Sequence, residues 1–198
     1  MPGFLLVLAL ANLHMIGLAD PWAWTFLPNE FAVGEWWRLF THPFVHISAY
    51  HLVLDGAAFL LLYTSLREPR RWKRLSLVAW SAAGALIVAL IASPLIQDAG
   101  LCGLSGIAHG LTAVMALEMI LGPNDPLVRR AGWACFALVV VKCAFEAITG
   151  NVVFDSWHLG SVGQPVAICH TGGVLGGLLG WLAMNPGASE ARSPAVAR

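Results

Sequence analysis

Charge is scarce in this chain. Asp, Glu, Lys and Arg make up 11% of its 198 residues and 58% are hydrophobic, with a mean hydropathy of +0.73. A soluble domain carries roughly 25% charged residues. Composition therefore excludes an ordinary water-soluble globule and predicts a polytopic protein embedded in the lipid bilayer. The 11 Lys and Arg are balanced by 11 Asp and Glu, so there is no basic patch to hold nucleic acid. No Lys or Arg precedes Arg38, whereas a cleaved signal peptide starts with a basic region; residues 3–19 are read as a retained first span. The four cysteines, Cys102, Cys135, Cys143 and Cys169, lack metal-ligand spacing, and no H-E-x-x-H or P-loop string occurs. Zinc proteases of that type and P-loop NTPases are thereby set aside, and no metal or other cofactor is expected.

What is present is apolar sequence in lengths suited to a bilayer, for which about 20 residues per helix are needed. Six segments qualify: 3–19, which contains Asn12 and His14, then 50–66, 75–93, 104–121, 133–149 and 166–184. They define one membrane domain over residues 1–184. The Pro/Ala/Ser-rich stretch 185–198 reads as a disordered tail. The loop 20–49 is too rich in Trp, Pro and His to be a linker. Trp22, Trp24, Trp36, Trp37 and Trp157 fall in loops or at span ends, as an interfacial aromatic belt requires. Arg67, Arg70, Arg71, Lys73, Arg74, Arg129, Arg130, Arg192 and Arg198 fall on one side of this arrangement, against Arg38 on the other. The excess puts both termini in the cytoplasm and the loops 20–49, 94–103 and 150–165 outside.

Two polar residues stand out against this apolar background. Ser105 lies in Gly103-Leu104-Ser105-Gly106 at the mouth of the fourth span, and His170 in Cys169-His170-Thr171-Gly172-Gly173 on the sixth. Polar side chains inside a membrane tend to be functional. A serine hydroxyl is a weak nucleophile until a base takes its proton, and the free N–H groups of a helix N-terminus suit an oxyanion. Gly103 and Gly106 leave room for a substrate backbone. Gly106 and Gly110 on one span, and Gly172, Gly176 and Gly180 on the other, are faces that allow close helix approach. The plainer alternative is that the glycines only pack helices and the histidine bonds a carbonyl. Lys142 and Glu146, one turn apart, pair with each other. Glu118 is about 20 Å of helix from Ser105, too far for chemistry. Asp155 and His158 read as solvated loop residues.

Taken in chain order, Trp37-Arg38, His42-x-x-x-His46, His51-x-x-x-Asp55, Gly103-x-Ser105-Gly106 and His170-x-x-Gly173 resemble the rhomboid family of intramembrane serine proteases, over about residues 34–180. The resemblance implies a six-transmembrane-helix all-α bundle acting on membrane-anchored protein substrates. It makes Ser105 the nucleophile and His170 the general base and then acid, a dyad without the buried carboxylate of a Ser-His-Asp triad. His51 matches the oxyanion-stabilising histidine, joined by the Ser105 backbone N–H; His42 and His46 are expected to be structural.

Two positions depart from the family pattern. Asp55 stands where Asn is common: protonated it can donate to an oxyanion, and charged it can only orient His51. His109 stands where Tyr is usual, one turn deeper than Ser105, and is expected to support the His170 ring or compete with it as a base. Cys102 and Cys169 flank the site and are candidates for a disulfide in an oxidising compartment. The string Gly103-Leu104-Ser105-Gly106-Ile107-Ala108-His109-Gly110 and the short, bare core look most like the rhombosortase branch, which is associated with removing C-terminal Gly-Gly-type anchors from exported proteins. That implies the bacterial inner membrane, with the active site toward the periplasm. The opposing possibilities are a non-catalytic rhomboid-like protein that binds clients, and a small polytopic transporter, though no inverted repeat is visible.

Overall fold

The computed structural model describes residues 2–122, 125–153, 159–163 and 166–186. Asp155, His158, Trp157 and the tail from 187 onward, all of which carried expectations, lie outside the described residues. The described chain is helical: α1 (Pro2–Ala11), α2 (Pro28–Ala32), α3 (Arg38–Thr41), α4 (Ala49–Ser65), α5 (Arg71–Ala92), α6 (Ile96–Ala99), α7 (Ser105–Leu121), α8 (Pro126–Thr149) and α9 (Ile168–Met184), with short 3-10 turns in the segments before α4. The helix pairs in closest contact are α5 with α9, α7 with α9 and α7 with α8.

Membrane length divides these helices. α5 and α8 are each long and apolar enough to cross a bilayer, their most apolar windows having mean hydropathies of 2.2 and 1.8. Residues Arg38–Phe44 and Ala49–Ser65, bent by 96° at their junction, qualify together as a third candidate. α1, α7 and α9 are apolar but shorter. Six full-length spanning helices are thus not what the helix lengths display. For α7 and α9 the reason is local: each starts at the site, with Ser105 the first residue of α7 and His170 the third of α9. The described residues just ahead of them, 101–104 and 166–167, are not helical and include cavity-lining Leu101, Cys102 and Val166; such backbone is tolerated at membrane depth where it lines a cavity.

The first span differs most from expectation. Rather than one helix over 3–19, α1 stops at Ala11 and a 3-10 turn follows over Leu13–Ile16. Asn12 accounts for the break. Its Nδ2 donates to the carbonyls of Leu8 (2.7 Å) and Phe44 (2.8 Å), and its Oδ1 accepts from the His46 N–H (2.9 Å). A buried amide that bonds the carbonyl four residues back competes with the helix's own ladder there, and its bonds to the next loop hold that break in place. α5 and α8 begin earlier than the apolar runs suggest. α8 gains an N-cap from Asp125, whose side chain accepts from the Leu127 N–H at 2.8 Å, with Pro126 in the first turn. At the start of α5, Lys73 donates to the Met184 carbonyl at 2.8 Å.

Both inside and outside of the bundle are apolar. Phe59, Leu77, Leu104, Ile107, Leu111 and Val114 fill its centre, while Ile91 and Ile148 are 82% and 84% exposed, as lipid-facing residues are. Glycine sets how closely the helices approach. A Cβ on Gly173 would fall on the Gly106 carbonyl, one on Gly177 would lie 2.7 Å from the Gly110 carbonyl, and one on Gly84 would meet the Gly172 carbonyl. The small-residue faces of α7 and α9 therefore do meet, backbone against backbone.

Candidate active site

The ends of four helices converge on a cavity of ≈ 440 Å³ whose lining includes Ser105, His170, His51, Asp55, His109, Lys142, Cys102 and Cys169. Ser105 and His51 come from the N-terminal turns of α7 and α4, His170 from that of α9, and Lys142 from the last two turns of α8. The described basic residues expected in the cytoplasm, Arg67 to Arg74 with Arg129 and Arg130, lie at the opposite ends of α4, α5 and α8. Glu118 is there too, accepting from the Arg67 N–H at 2.8 Å.

Ser105 opens α7 directly. Leu104 precedes it as N-cap with no side-chain cap bond, so the first-turn N–H groups and the positive end of the helix dipole are not neutralised by a capping side chain. The approach to Ser105 passes through Gly103, whose φ of +96° is in the left-handed region and whose N–H donates to the His42 carbonyl at 3.1 Å. A Cβ at Gly103 would lie 3.0 Å from both Asp55 Oδ2 and His51 Nε2; here glycine is required by conformation and by space. The next helix over supplies Cys169, whose thiol lies against the Ser105 side chain. All four cysteines are free. The bridge considered between Cys102 and Cys169 is not formed: Cys169 is packed against Ser105 and Gly106 instead.

His170 is 6% exposed and held on two sides. The His109 ring stacks on it, with centroids 4.0 Å apart and planes 16° from parallel; His109 is itself fixed by donating from Nδ1 to the Ser105 carbonyl at 2.7 Å. In its own plane, His170 Nδ1 lies 2.7 Å from Oε2 of Glu146, which is fully buried. The Lys142–Glu146 pair expected from spacing exists at 2.5 Å. The expectation that these residues serve only each other fails, and with it the expectation that no buried carboxylate stands behind the histidine. His109, Glu146 and His170 offer three ligand atoms within 4.8 Å of one another, a spacing that can hold a metal ion. The Lys142 ammonium, 2.5 Å from Glu146 and 3.4 Å from His170 Nδ1, already supplies positive charge at that spot.

On the other wall, His51 Nδ1 accepts from the Ile47 N–H at 3.4 Å, which leaves the proton of the neutral ring on Nε2. That nitrogen is 3.2 Å from Asp55 Oδ2, and His46 Nε2 is 3.9 Å from the same oxygen. Asp55 thus lies beside both histidines, with its Oδ2 buried and without a hydrogen bond. His42 donates from Nδ1 to the Arg38 carbonyl at 2.9 Å, and Arg38 bonds Glu35 and the carbonyls of Trp22 and Thr25. Phe26 and Leu101 exchange backbone hydrogen bonds of 3.0 and 2.9 Å, pinning the loop 20–49 to the strand of chain that leads into Ser105.

The family model described as "Rhomboid domain" matches residues 33–186. Among curated proteins, the "Rhomboid protease GluP" of Bacillus subtilis (strain 168) is 28% identical over 131 residues, which cover 66% of this chain and 25% of that protein; the match thus spans about a quarter of the relative's length. With the domain model matched over most of its length and its helices apolar on both faces, the chain is a membrane protein that belongs to the rhomboid family.

Proposed function

We propose that the protein is an intramembrane serine endopeptidase that cleaves the transmembrane or C-terminal Gly-Gly-type anchor of exported proteins, as in the rhombosortase branch. The observation that carries this reading is the shared cavity. Ser105 and His170 come from helices whose glycines touch, and both line one pocket at the end of the bundle away from the basic residues. Six spans over residues 1–184, cytoplasmic ends, and a site facing the periplasm of a bacterial inner membrane complete the proposal; the placement of the basic residues supports the orientation.

In the proposed reaction, a substrate helix enters from lipid and unwinds at a Gly-Gly stretch, where helix propensity is low and no side chain blocks the wall at Gly103. The Ser105 hydroxyl turns from the Cys169 thiol toward His170 and attacks the carbonyl carbon, its proton passing to Nε2 of His170. The oxyanion is met by the Ser105 N–H at the start of α7 and by His51, whose Nε2–H turns from Asp55 toward it. The C–N bond then breaks, His170 returns the proton to the leaving amine, and an acyl ester remains on Ser105. Water, or another nucleophile in a sorting enzyme, attacks that ester and gives its proton to His170; the bond from the carbonyl carbon to Ser105 Oγ breaks, and His170 returns the proton to Oγ, restoring the hydroxyl.

The test uses the full chain in proteoliposomes with a membrane-anchored peptide bearing a Gly-Gly anchor, and a matched peptide with Leu-Leu in its place. The proposal predicts cleavage at or beside Gly-Gly that is abolished in Ser105→Ala and in His170→Ala. Cleavage of both peptides alike would leave a general protease and remove the sorting assignment. Binding of the peptides without any cleavage would favour the client-binding alternative.

A further inference from the structure

We infer that Glu146 is a positioning residue for His170, so that the chemistry draws on three helices: Ser105 of α7, His170 of α9 and Glu146 of α8. The inference rests on the Ser105–His170 reading above and extends it.

Glu146 is fully buried, and a buried carboxylate is tolerated only when its lone pairs are met. Three donors meet them. Oε1 accepts from Lys142 Nζ (2.5 Å) and from the Val153 N–H (3.1 Å), and Oε2 lies 2.7 Å from His170 Nδ1. Pairing with Lys142 along α8 accounts for one oxygen only. The second is spent on another helix, 24 residues away in sequence, on the histidine that lines the cavity with Ser105.

The protonation geometry follows. An ionised carboxylate only accepts, so Nδ1 must carry the proton and donate. The lone pair is thereby on Nε2, the nitrogen that has to take a proton from serine. Lys142 has no lone pair and the Nδ1 proton is already engaged, so the 3.4 Å approach of Nζ to Nδ1 is not a hydrogen bond, and Lys142 acts by balancing Glu146. In-plane rotation of the imidazole is checked by Glu146, and tilting by the His109 ring stacked at 4.0 Å. When Nε2 accepts the serine proton, the imidazolium lies against the carboxylate; no proton needs to move onto Glu146.

The experiment uses the full chain in proteoliposomes with the Gly-Gly-anchored peptide. Turnover by the parent must first be shown to depend on Ser105: a Ser105→Ala variant as active as the parent would overturn the protease reading and the Glu146 role with it. Given Ser105-dependent turnover, Glu146→Gln is expected to lower kcat by about 100-fold or more with KM within about twofold. A kcat within about threefold of the parent would overturn the inference alone. Lys142→Met/Glu146→Leu covers the case in which the single variant folds poorly, because replacing a buried ion pair by apolar residues is often neutral or stabilising. The double variant is expected to melt like the parent and still lose about 100-fold in kcat. If it regains the parent kcat, Glu146 is merely the partner of Lys142. The parent, labelled with 15N-histidine, should also show a strongly downfield imidazole N–H proton that disappears in His170→Ala and in the double variant; its persistence in the double variant would contradict a Glu146–Nδ1 bond.

Discussion

At the scale of single residues, each wall of the cavity sets a histidine beside a carboxylate, hydrogen-bonded on one wall and only close on the other. His170 is held by Glu146 at 2.7 Å, and His51 lies 3.2 Å from Asp55. His51, unlike His170, gains no charge in the proposed reaction, so an amide can stand for the carboxylate: Asp55→Asn is expected to keep cleavage within about threefold, and Asp55→Leu, which removes the polar neighbour, to lose about 10- to 100-fold. Initial rates on the anchored peptide decide it; a large loss in Asp55→Asn would show that the charge itself is needed. His51→Ala removes a donor to the developing oxyanion and is expected to lower kcat by about 100- to 1,000-fold with little change in KM. That Ser105 and His170 would share one cavity was legible in the sequence because each sits in a local string of glycines within an apolar run. The role of Glu146 was not. Lys142 four residues earlier offered a sufficient partner, and the contact with His170 spans 24 residues. The signal available was depth: Glu146 lies near the C-terminal end of α8 and His170 near the N-terminal end of α9, so successive spans bring them to one depth, and an ionisable residue at membrane depth is functional by default.

At the scale of helices, the site depends on α9 lying against α5 and α7 without side chains between them. Gly173 meets the Gly106 carbonyl one residue past Ser105, so Gly173→Leu is expected to push α7 and α9 apart, destabilise the fold by about 1–3 kcal/mol, and remove Ser105-dependent cleavage. Gly3→Ala, where a Cβ has nothing within 4 Å, serves as the neutral control. Melting in detergent, followed by near-ultraviolet circular dichroism, reads both. This glycine ladder could be read from spacing alone, since small residues four apart have one use in lipid. The ends of helices were harder. α1 ends at Ala11, just before Asn12, whose amide is satisfied by a loop more than 30 residues away, and no local pattern announces a distant partner. Asp125-Pro126, by contrast, is a local start signal for α8 that lies outside the apolar run.

At the scale of the whole molecule, the cavity and the main cluster of arginines occupy opposite ends. The cavity gathers His51, Ser105, Lys142 and His170, while Arg67, Arg70, Arg71, Lys73, Arg74, Arg129 and Arg130 cluster at the far end. Glu68 belongs to that basic end, where the Arg70 guanidinium holds its carboxyl below the usual carboxylate range. If the orientation is as proposed, a cysteine placed at Val33 in a cysteine-free background reacts with a membrane-impermeant maleimide in intact spheroplasts, and one placed at Arg71 reacts only after lysis. The reverse pattern would invert the topology and put the cavity in the cytoplasm.

The central claim is that the Ser105 hydroxyl is a nucleophile activated by His170. The most direct measurement is intact and peptide mass spectrometry of the membrane-reconstituted protein after exposure to a fluorophosphonate. A single phosphonyl adduct located on Ser105, and reduced to background in His170→Ala, is the predicted result. A folded protein that gains no adduct, or one whose adduct survives Ser105→Ala, would contradict it.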